Sequence, residues 1–332
     1  MPDPLIEGGH DVIVRLRAAA LNRLDLFVTG GLPGVKHEFP HVLGCDGAGV
    51  VEQVGGGVHR FRPGDRVLIN PGVWCGSCWY CRQGEESLCT TYRVIGEHLP
   101  GTFAELVRVS DVALVPAPAG VSWHEAAAFP LATLTAWRML TTRAQLQAGE
   151  TVLIWGIGGG VALAAFQIAK RIGARIIVTS GSAGKLARAR ELGADLALDH
   201  RNEDVVAEVR RFTGRKGCEV IVDSVGEATW ERSLRCLARG GRLVTCGGTT
   251  GPSLPLDVRK LFWHGWSLLG STMGSILEFG EISSRFARGE LRPLIDSVYP
   301  LEQARAALER LAGGGQFGKI VLEIRGPEDL RT

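Results

Sequence analysis

The 332-residue sequence predicts an α/β protein of two domains, one mostly β with a small cysteine-rich lobe, the other a doubly wound parallel sheet. Three observations predict it. Short β-branched runs separated by turns fill the first third of the chain, the pattern of an irregular β domain. From about Ser122 onward, strand-like runs alternate with stretches of helical period, which implies parallel strands covered by helices on both faces. Within the first region, four cysteines fall inside fifteen residues.

In order, the β runs of the first domain are VIVRL (12–16), GVVEQVG (49–55), DRVLIN (65–70) and FAELVRV (103–109). The second domain is marked by TVLIW (151–155), RIIVT (175–179), DLAL (195–198), EVIVD (219–223) and RLVTC (242–246). Between the first two of these, Ala162, Phe166, Ala169 and Ile172 recur at helical spacing, with Gly173 as C-cap. The segment after about Leu269 carries one amphipathic helix over 301–311 and a last strand, KIVLEI (319–324). That is too little for a third domain, so it returns to complete the first. The expected domains are 1–121 with 271–332, including a lobe at 72–92, and 122–270.

Cys75, Cys78, Cys81 and Cys89, spaced C-x2-C-x2-C-x7-C among Gly72, Gly76 and Gly84, read as a closed tetrathiolate metal site. Thiolates this close repel one another unless a soft dication neutralises them, and four sulfurs in a tetrahedron suit Zn²⁺ with no position left for water. Such a site holds a loop and does no chemistry. A disulfide pair and a rubredoxin-like iron centre are the competing readings; the first lacks a secretory signal, and the second normally uses two distant C-x2-C pairs. Cys45, Cys218, Cys236 and Cys246 sit among apolar neighbours as small core residues.

Composition narrows the function classes. At 45% hydrophobic and 22% charged, with 37 Lys and Arg against 35 Asp and Glu, the chain has a net charge of +2 and no electrostatic reason to bind nucleic acid or an anionic membrane. Trp74, Trp79 and Tyr80 lie near the cysteines with only Arg82 as a neighbouring cation, a poor nucleic-acid surface. No apolar run reaches the length of a membrane span, and the amino terminus lacks the order of a signal peptide, so a reducing cytoplasm is the expected location.

The strand at 151–155 runs directly into Gly156-Ile157-Gly158-Gly159-Gly160-Val161-Ala162 and then a helix, the arrangement that seats a dinucleotide pyrophosphate on a helix N-terminus. A merely flexible loop is the alternative, disfavoured by the flanking periods. The following strand ends Thr179-Ser180-Gly181-Ser182, with Lys185 beyond, where an NAD-specific site places a carboxylate near the ribose 2′-OH. Hydroxyls and a cation leave room for a 2′-phosphate, so NADP(H) is the expected cofactor. Lys185 reads equally as a solvated residue in the first turn of a helix.

These residues, with AAALNRLDLFVTGGLPG (18–34), GCDGAGVVEQVGGGV (44–58), FRPGDRV (61–67), GEHLPGTFAELV (96–107), FPLATLTAW (129–137) and FGKIVL (317–322), resemble the medium-chain dehydrogenase/reductase superfamily over nearly the whole chain. The likeness is to its quinone oxidoreductase and zinc-binding alcohol dehydrogenase-like branch. It implies a GroES-like catalytic domain with a structural-zinc lobe joined to a Rossmann domain, a cleft between the two, and hydride transfer. It also implies cofactor contacts from Gly247, Ser271 and Lys319. Relatives pair their Rossmann domains edge to edge, so a homodimer or homotetramer closing on the apolar strand 266–270 is expected. They carry a further β-hairpin before the segment matching Pro2-Asp3-Pro4, so an unpaired sheet edge is expected here.

Departures from the family narrow the chemistry. Members with a catalytic zinc hold it with a Cys aligned to Asn22, a His in the segment aligned to Cys45 and a further Cys near Pro130-Leu131-Ala132. Only Cys45 is a ligand type here, and the relay hydroxyl falls on Leu24. A catalytic zinc is therefore not expected, with an unorthodox Cys45, Asp46 and His98 site as the alternative. Cys45 also reads as a packing residue and Asp46 as a structural carboxylate. Without a Lewis acid, a quinone or an α,β-unsaturated carbonyl is the easier acceptor, because it spreads the arriving charge onto an oxygen that a few donors can hold. Asn22, the backbone around Thr133 and a water are the candidate donors, and Trp263, Trp266 and Met273 are candidates to shape an apolar cleft. The sequence thus points to an NADPH-dependent quinone or enone reductase. An alcohol dehydrogenase or carbonyl reductase and a non-catalytic dinucleotide-binding protein remain as alternatives.

Overall fold

A computed structural model describes residues 2–32 and 39–325. Pro33 and Gly34, the end of the 18–34 motif, lie outside the described residues. The chain folds into two compact units, 1–134 with 274–332, and 135–273. The first junction lies within the helix Pro130–Trp137, later than residue 121, because the helix Trp123–Ala128 buries Ala126, Ala127 and Ala128 in the first unit.

The first unit opens with seven strands: β1 (Asp11–Ala20), β2 (Asp46–Val54), β3 (Arg66–Ile69), β4 (Gly72–Val73), β5 (Arg93–Val94), β6 (Leu106–Ser110) and β7 (Leu114–Pro116). The second unit contributes β8 (Thr151–Ile154), β9 (Arg175–Ser180), β10 (Leu196–Asp199), β11 (Cys218–Val222), β12 (Leu237–Thr245) and β13 (Ser267–Gly270). The chain then returns to the first unit with β14 (Ile295–Pro300) and β15 (Lys319–Glu323).

In the first unit the main sheet runs β14-β15-β1-β2-β3-β7, with β6 also on β1. β1 therefore has neighbours on both sides, β2 on one and β6 and β15 on the other, and is not an unpaired edge. Val14, Leu16, Val51, Val67, Leu114 and Ile320 fill the core. The register brings Ala20 opposite both Asp46 and Val321, which places the end of β1, the start of β2 and the start of β15 side by side.

The returning segment holds more structure than its sequence suggested. A helix over Ile276–Ala287 is capped by Ser275, whose hydroxyl accepts from the Glu278 N–H, and it buries Phe279, Ile282 and Phe286. Phe286 stacks on Phe129 at 4.2 Å between ring centroids, so this helix belongs to the first unit's core. The expected helix at 301–311 is a short 3₁₀ turn (Leu301–Gln303) followed by an α-helix over Ala304–Gly313.

In the second unit all six strands are parallel, in the order β10-β9-β8-β11-β12-β13. Counted from its own first strand this is 3-2-1-4-5-6, the order of dinucleotide-binding sheets, with the reversal at β8. Leu153, Ile177, Leu198, Val209, Ile221 and Leu243 form its core. Gly173 ends the helix Gly160–Ile172 in the left-handed conformation, as its sequence predicts. Trp266 packs inward, donating from Nε1 to the Ala238 carbonyl, whereas Trp263 is exposed. Among the described residues no helix is long and apolar enough to cross a membrane.

Candidate functional site

Three groups of residues carry chemistry. The first is the cysteine lobe. The ribbon β4–β5 and the turn Trp79–Arg82 gather Cys75, Cys78, Cys81 and Cys89 so that their sulfurs all lie within 4.8 Å of one another. Cys78 and Cys81 are 3.5 Å apart and Cys75 and Cys81 4.0 Å. A tetrahedral ion with Zn–S bonds of about 2.3 Å sets sulfurs roughly 3.8 Å apart, so the cluster fits such an ion. The backbone N–H of Cys75 points at Cys89 Sγ and that of Cys78 at Cys75 Sγ, stabilising thiolates. The N–H groups of Ser77 and Cys78 hold the Cys75 thiol down at about 5, while Cys81, desolvated and bonded to Cys78, is pushed up to about 12.

The second group lies at the carboxyl ends of the parallel strands. After β8, Gly156 and Gly158 take φ of 70° and 126°, backbone that a side chain would strain, and the turn feeds the helix Gly160–Ile172. Gly159 at the N-cap offers no side chain, so the first-turn N–H groups of Gly160 and Val161 are left for a phosphate. At the end of β9, Ser180 Oγ accepts from the Ser182 N–H at 3.2 Å and Ser182 Oγ from the Lys185 N–H at 3.5 Å, which leaves both hydroxyl hydrogens to donate. Arg201, in the turn after β10, was missed by sequence reasoning. Its guanidinium lies over Gly181 so closely that a Cβ there would meet Nε at 2.3 Å. No carboxylate-bearing residue follows β9 at 181 or 182, and the Arg201 guanidinium adds a cation over Gly181. Gly247 follows β12, its N–H on Thr245 Oγ1. Ser271 follows β13, and its buried hydroxyl has no partner among the described residues, an orphaned group that a carboxamide could satisfy. These observations fit a dinucleotide across the sheet's reversal.

The third group forms where β1, β2 and β15 meet in the first unit. Lys319 Nζ donates to Asn22 Oδ1 at 2.5 Å and to Asp46 Oδ2 at 2.8 Å. Asn22 Nδ2 donates to the same Asp46 oxygen at 2.9 Å and to the Ala20 carbonyl at 3.4 Å. Asp46 Oδ1 accepts from the Leu131 N–H at 2.8 Å, at the start of the helix Pro130–Trp137. Asp25 accepts from the N–H groups of Asn22 and Gly44, and burial pushes its carboxyl up to about 7. Burial, with Asp25 and Asp46 nearby, raises the Cys45 thiol well above its ordinary range.

This geometry revises several expectations. Asn22 has both amide hydrogens directed inside the network, so it is not a ready donor. Thr133 gives its N–H to the Phe129 carbonyl, but its hydroxyl makes no hydrogen bond among the described residues. Lys319, expected at the cofactor, is bonded to Asn22 and Asp46, because the first residue of β15 lies beside the ends of β1 and β2. His98 takes the Val94 N–H on Nδ1 and is not assembled with Cys45 and Asp46; among the described residues the metal-competent cluster is the tetrathiolate. The donors around Asn22 do not fit a catalytic metal. Both Asp46 oxygens and the Asn22 carbonyl are already occupied, and an ammonium beside them repels a dication.

Residues 8–119 match the family model of the alcohol dehydrogenase GroES-like domain, and residues 160–288 that of zinc-binding dehydrogenases. The chain is 34% identical over 325 residues to the NAD-dependent alcohol dehydrogenase of Sulfolobus acidocaldarius, covering 96% of this chain and 93% of that one. It is 34% identical over 331 residues to the quinone oxidoreductase of Pseudomonas aeruginosa, covering 96% and 93%. A crystal structure of an NAD-dependent alcohol dehydrogenase is similar at a TM-score of 0.93 and 44% identity, covering 98% of this chain and 94% of that one.

Proposed function

The chain belongs to the medium-chain dehydrogenase/reductase superfamily, and from that premise we propose that it is an NADP(H)-dependent oxidoreductase that reduces a quinone or an α,β-unsaturated carbonyl. The observation that carries the acceptor class is the Asn22–Asp46–Lys319 network. It ties the Asn22 side chain and both Asp46 oxygens into hydrogen bonds with a buried ammonium, a donor set that does not fit a catalytic metal, and this supports an acceptor that itself delocalises the charge it receives.

When bound, NADPH supplies hydride from C4 of its nicotinamide. The chain's residues hold and orient it. Gly156 to Val161 offer backbone N–H groups to the pyrophosphate, and Ser180, Ser182, Lys185 and Arg201 receive the 2′-phosphate. Ser271 donates to or accepts from the carboxamide, and Gly247 lets the backbone approach the ring. The four cysteines hold a structural Zn²⁺ that ties the lobe together. The exposed residues of β13, at the edge of its sheet, serve a homodimer, which would show as twice the 35.6 kDa chain mass in light scattering.

A second reading, oxidation of alcohols with NAD(H), is favoured by the names of two of the relatives above. One experiment separates them: cofactor oxidation over a panel of quinones, enones and aldehydes, with alcohols tested in reverse. Fastest turnover on a conjugated acceptor supports the first reading; fastest turnover on an aldehyde or alcohol supports the second.

A further inference from the structure

We propose that the first unit carries a second ligand site, apart from the three groups above, that takes a polyphosphate-bearing anion. The site is an open cavity of about 850 Å³, lined by residues of four neighbouring strands and of the turn into the helix Trp123–Ala128. None of them belongs to the cysteine lobe or to the Asn22–Asp46–Lys319 network. Lys319 begins β15, whereas Glu323, at the cavity, ends it roughly 13 Å away at about 3.3 Å per residue.

The fold builds the cavity from its sheet. The order β15-β1-β2-β3 puts Glu323, Arg17, Val50 and Arg66 on successive strands, and Val50 lies directly opposite Arg66. Leu16 lies opposite Gly49 but Ala18 opposite Ala48, so Arg17 is the extra residue of a β-bulge, a device that re-aims a side chain. The Ile324 N–H holds the bulge by donating to the Arg17 carbonyl at 3.0 Å.

Charge selects the ligand class. Arg17, Arg66, Arg325 and His124 line the cavity against a single carboxylate, Glu323. That carboxylate is 42% exposed and lies 3.3 Å from His124 Nε2 and 3.8 Å from Arg325 Nε, so solvent screens both contacts. The neighbouring Glu52 is bound through both oxygens to Arg15, at 2.8 and 2.9 Å, and leaves the excess of positive charge in place. The Arg66 guanidinium lies 3.6 Å from the centroid of the Trp123 ring and donates one N–H to the Val121 carbonyl at 3.0 Å. An arginine has five N–H donors, and the others of Arg66 have no acceptor among the described residues. A planar fork laid on an indole is oriented before a ligand arrives, and such forks match phosphate oxygens in pairs. Three guanidiniums exceed what one carboxylate or one phosphate neutralises, and the volume is that of a site for a small organic ligand. Val50, Ile324 and Trp123 add an apolar side for the ring of a nucleotide.

Calorimetry on the full chain tests this, with ATP, inorganic tripolyphosphate and citrate as probes in magnesium-free buffer. NADPH is held saturating, so that the dinucleotide site proposed in the second unit is filled. ATP and tripolyphosphate should bind at one further site with a Kd below about 0.1 mM, and citrate at least about tenfold more weakly. Tighter binding of ATP than of tripolyphosphate assigns a nucleotide, and equal binding assigns the phosphate chain alone. Arg17→Gln/Arg66→Gln should weaken both about tenfold or more while leaving NADPH affinity unchanged. Glu323→Gln should tighten both roughly two- to fivefold, the scale of a solvent-screened charge contact and a gain that a damaged fold does not produce. No binding of either phosphate probe at about 1 mM, citrate binding as tightly as they do, an affinity unmoved by the double arginine variant, or no gain in Glu323→Gln would each overturn the proposal.

Discussion

Lys319 and Asp46 form an ion pair of 2.8 Å in which the two side chains are 5% and 0% exposed. It joins the first residue of β15 to the first residue of β2, and with Asn22 it locks the ends of three strands at one point. Removing one partner of such a pair leaves an uncompensated buried charge.

Asp46→Ala should therefore lower the unfolding free energy by about 3–5 kcal/mol, whereas the charge-neutral double variant at 46 and 319 should lose markedly less. Urea denaturation of the variants checks this. A loss below about 1 kcal/mol for Asp46→Ala is the behaviour of a solvent-exposed pair and would contradict the geometry.

Asp25 gives the protein an inverted pH dependence at one position. Its carboxyl, ordinarily near 3.8, is raised to about 7, chiefly by burial and against the two N–H groups it accepts. Between those values the folded state holds a proton that the unfolded state has lost. The contribution of Asp25 to stability is thus fullest below about pH 4 and is lost as pH rises towards 7. Asp25→Asn removes the titration, so its stability relative to wild type should climb between pH 4 and 8. Parallel stability curves for the two proteins would contradict the shift.

One zinc per chain should be found by elemental analysis, bound by Cys75, Cys78, Cys81 and Cys89. Cys78→Ser should lose it and lower the melting temperature, because structural metal binding contributes folding free energy. A Cys78→Ser protein that keeps both its zinc and its melting temperature would exclude the tetrathiolate as the site.

NADPH should bind at least tenfold more tightly than NADH, about 1.4 kcal/mol. Arg201→Ala should reduce that ratio. Gly181→Asp should reverse it, since the new side chain begins where the Arg201 guanidinium now lies and adds a carboxylate that repels the phosphate. Calorimetric dissociation constants decide it, and equal affinities of wild type for the two cofactors would count against the reading of this pocket.

Much of the fold was legible because its signals are local. The strand–glycine–helix passage at 151–172 and the spacing of Cys75 to Cys89 are contained in short windows whose chemistry allows few alternatives. The helix Ile276–Ala287 was also marked, by Ser275 with Glu278 and by Phe279, Ile282 and Phe286 at helical spacing, but two serines and a glycine within it weaken the apolar stripe. The site was less legible because it depends on register. Lys319 is nearly three hundred residues from Asn22, and only the pairing of Ala20 with Asp46 and Val321 brings the three side chains together. Arg201 reaches Gly181 through the parallel pairing of β10 with β9, another long-range relation. The alignment of Asn22 with a metal ligand showed what this chain lacks at that position; the pairing of β15 with β1 showed that Asn22 is bonded to Lys319.

The central proposal is NADPH-dependent reduction of a conjugated carbonyl, and the most direct measurement is the rate of NADPH oxidation over quinones, enones and aldehydes, with zinc content determined on the same sample. The account predicts fastest turnover on a quinone or an enone, with one zinc per chain. Fastest turnover on an aldehyde, or a second zinc whose removal abolishes turnover, would contradict it.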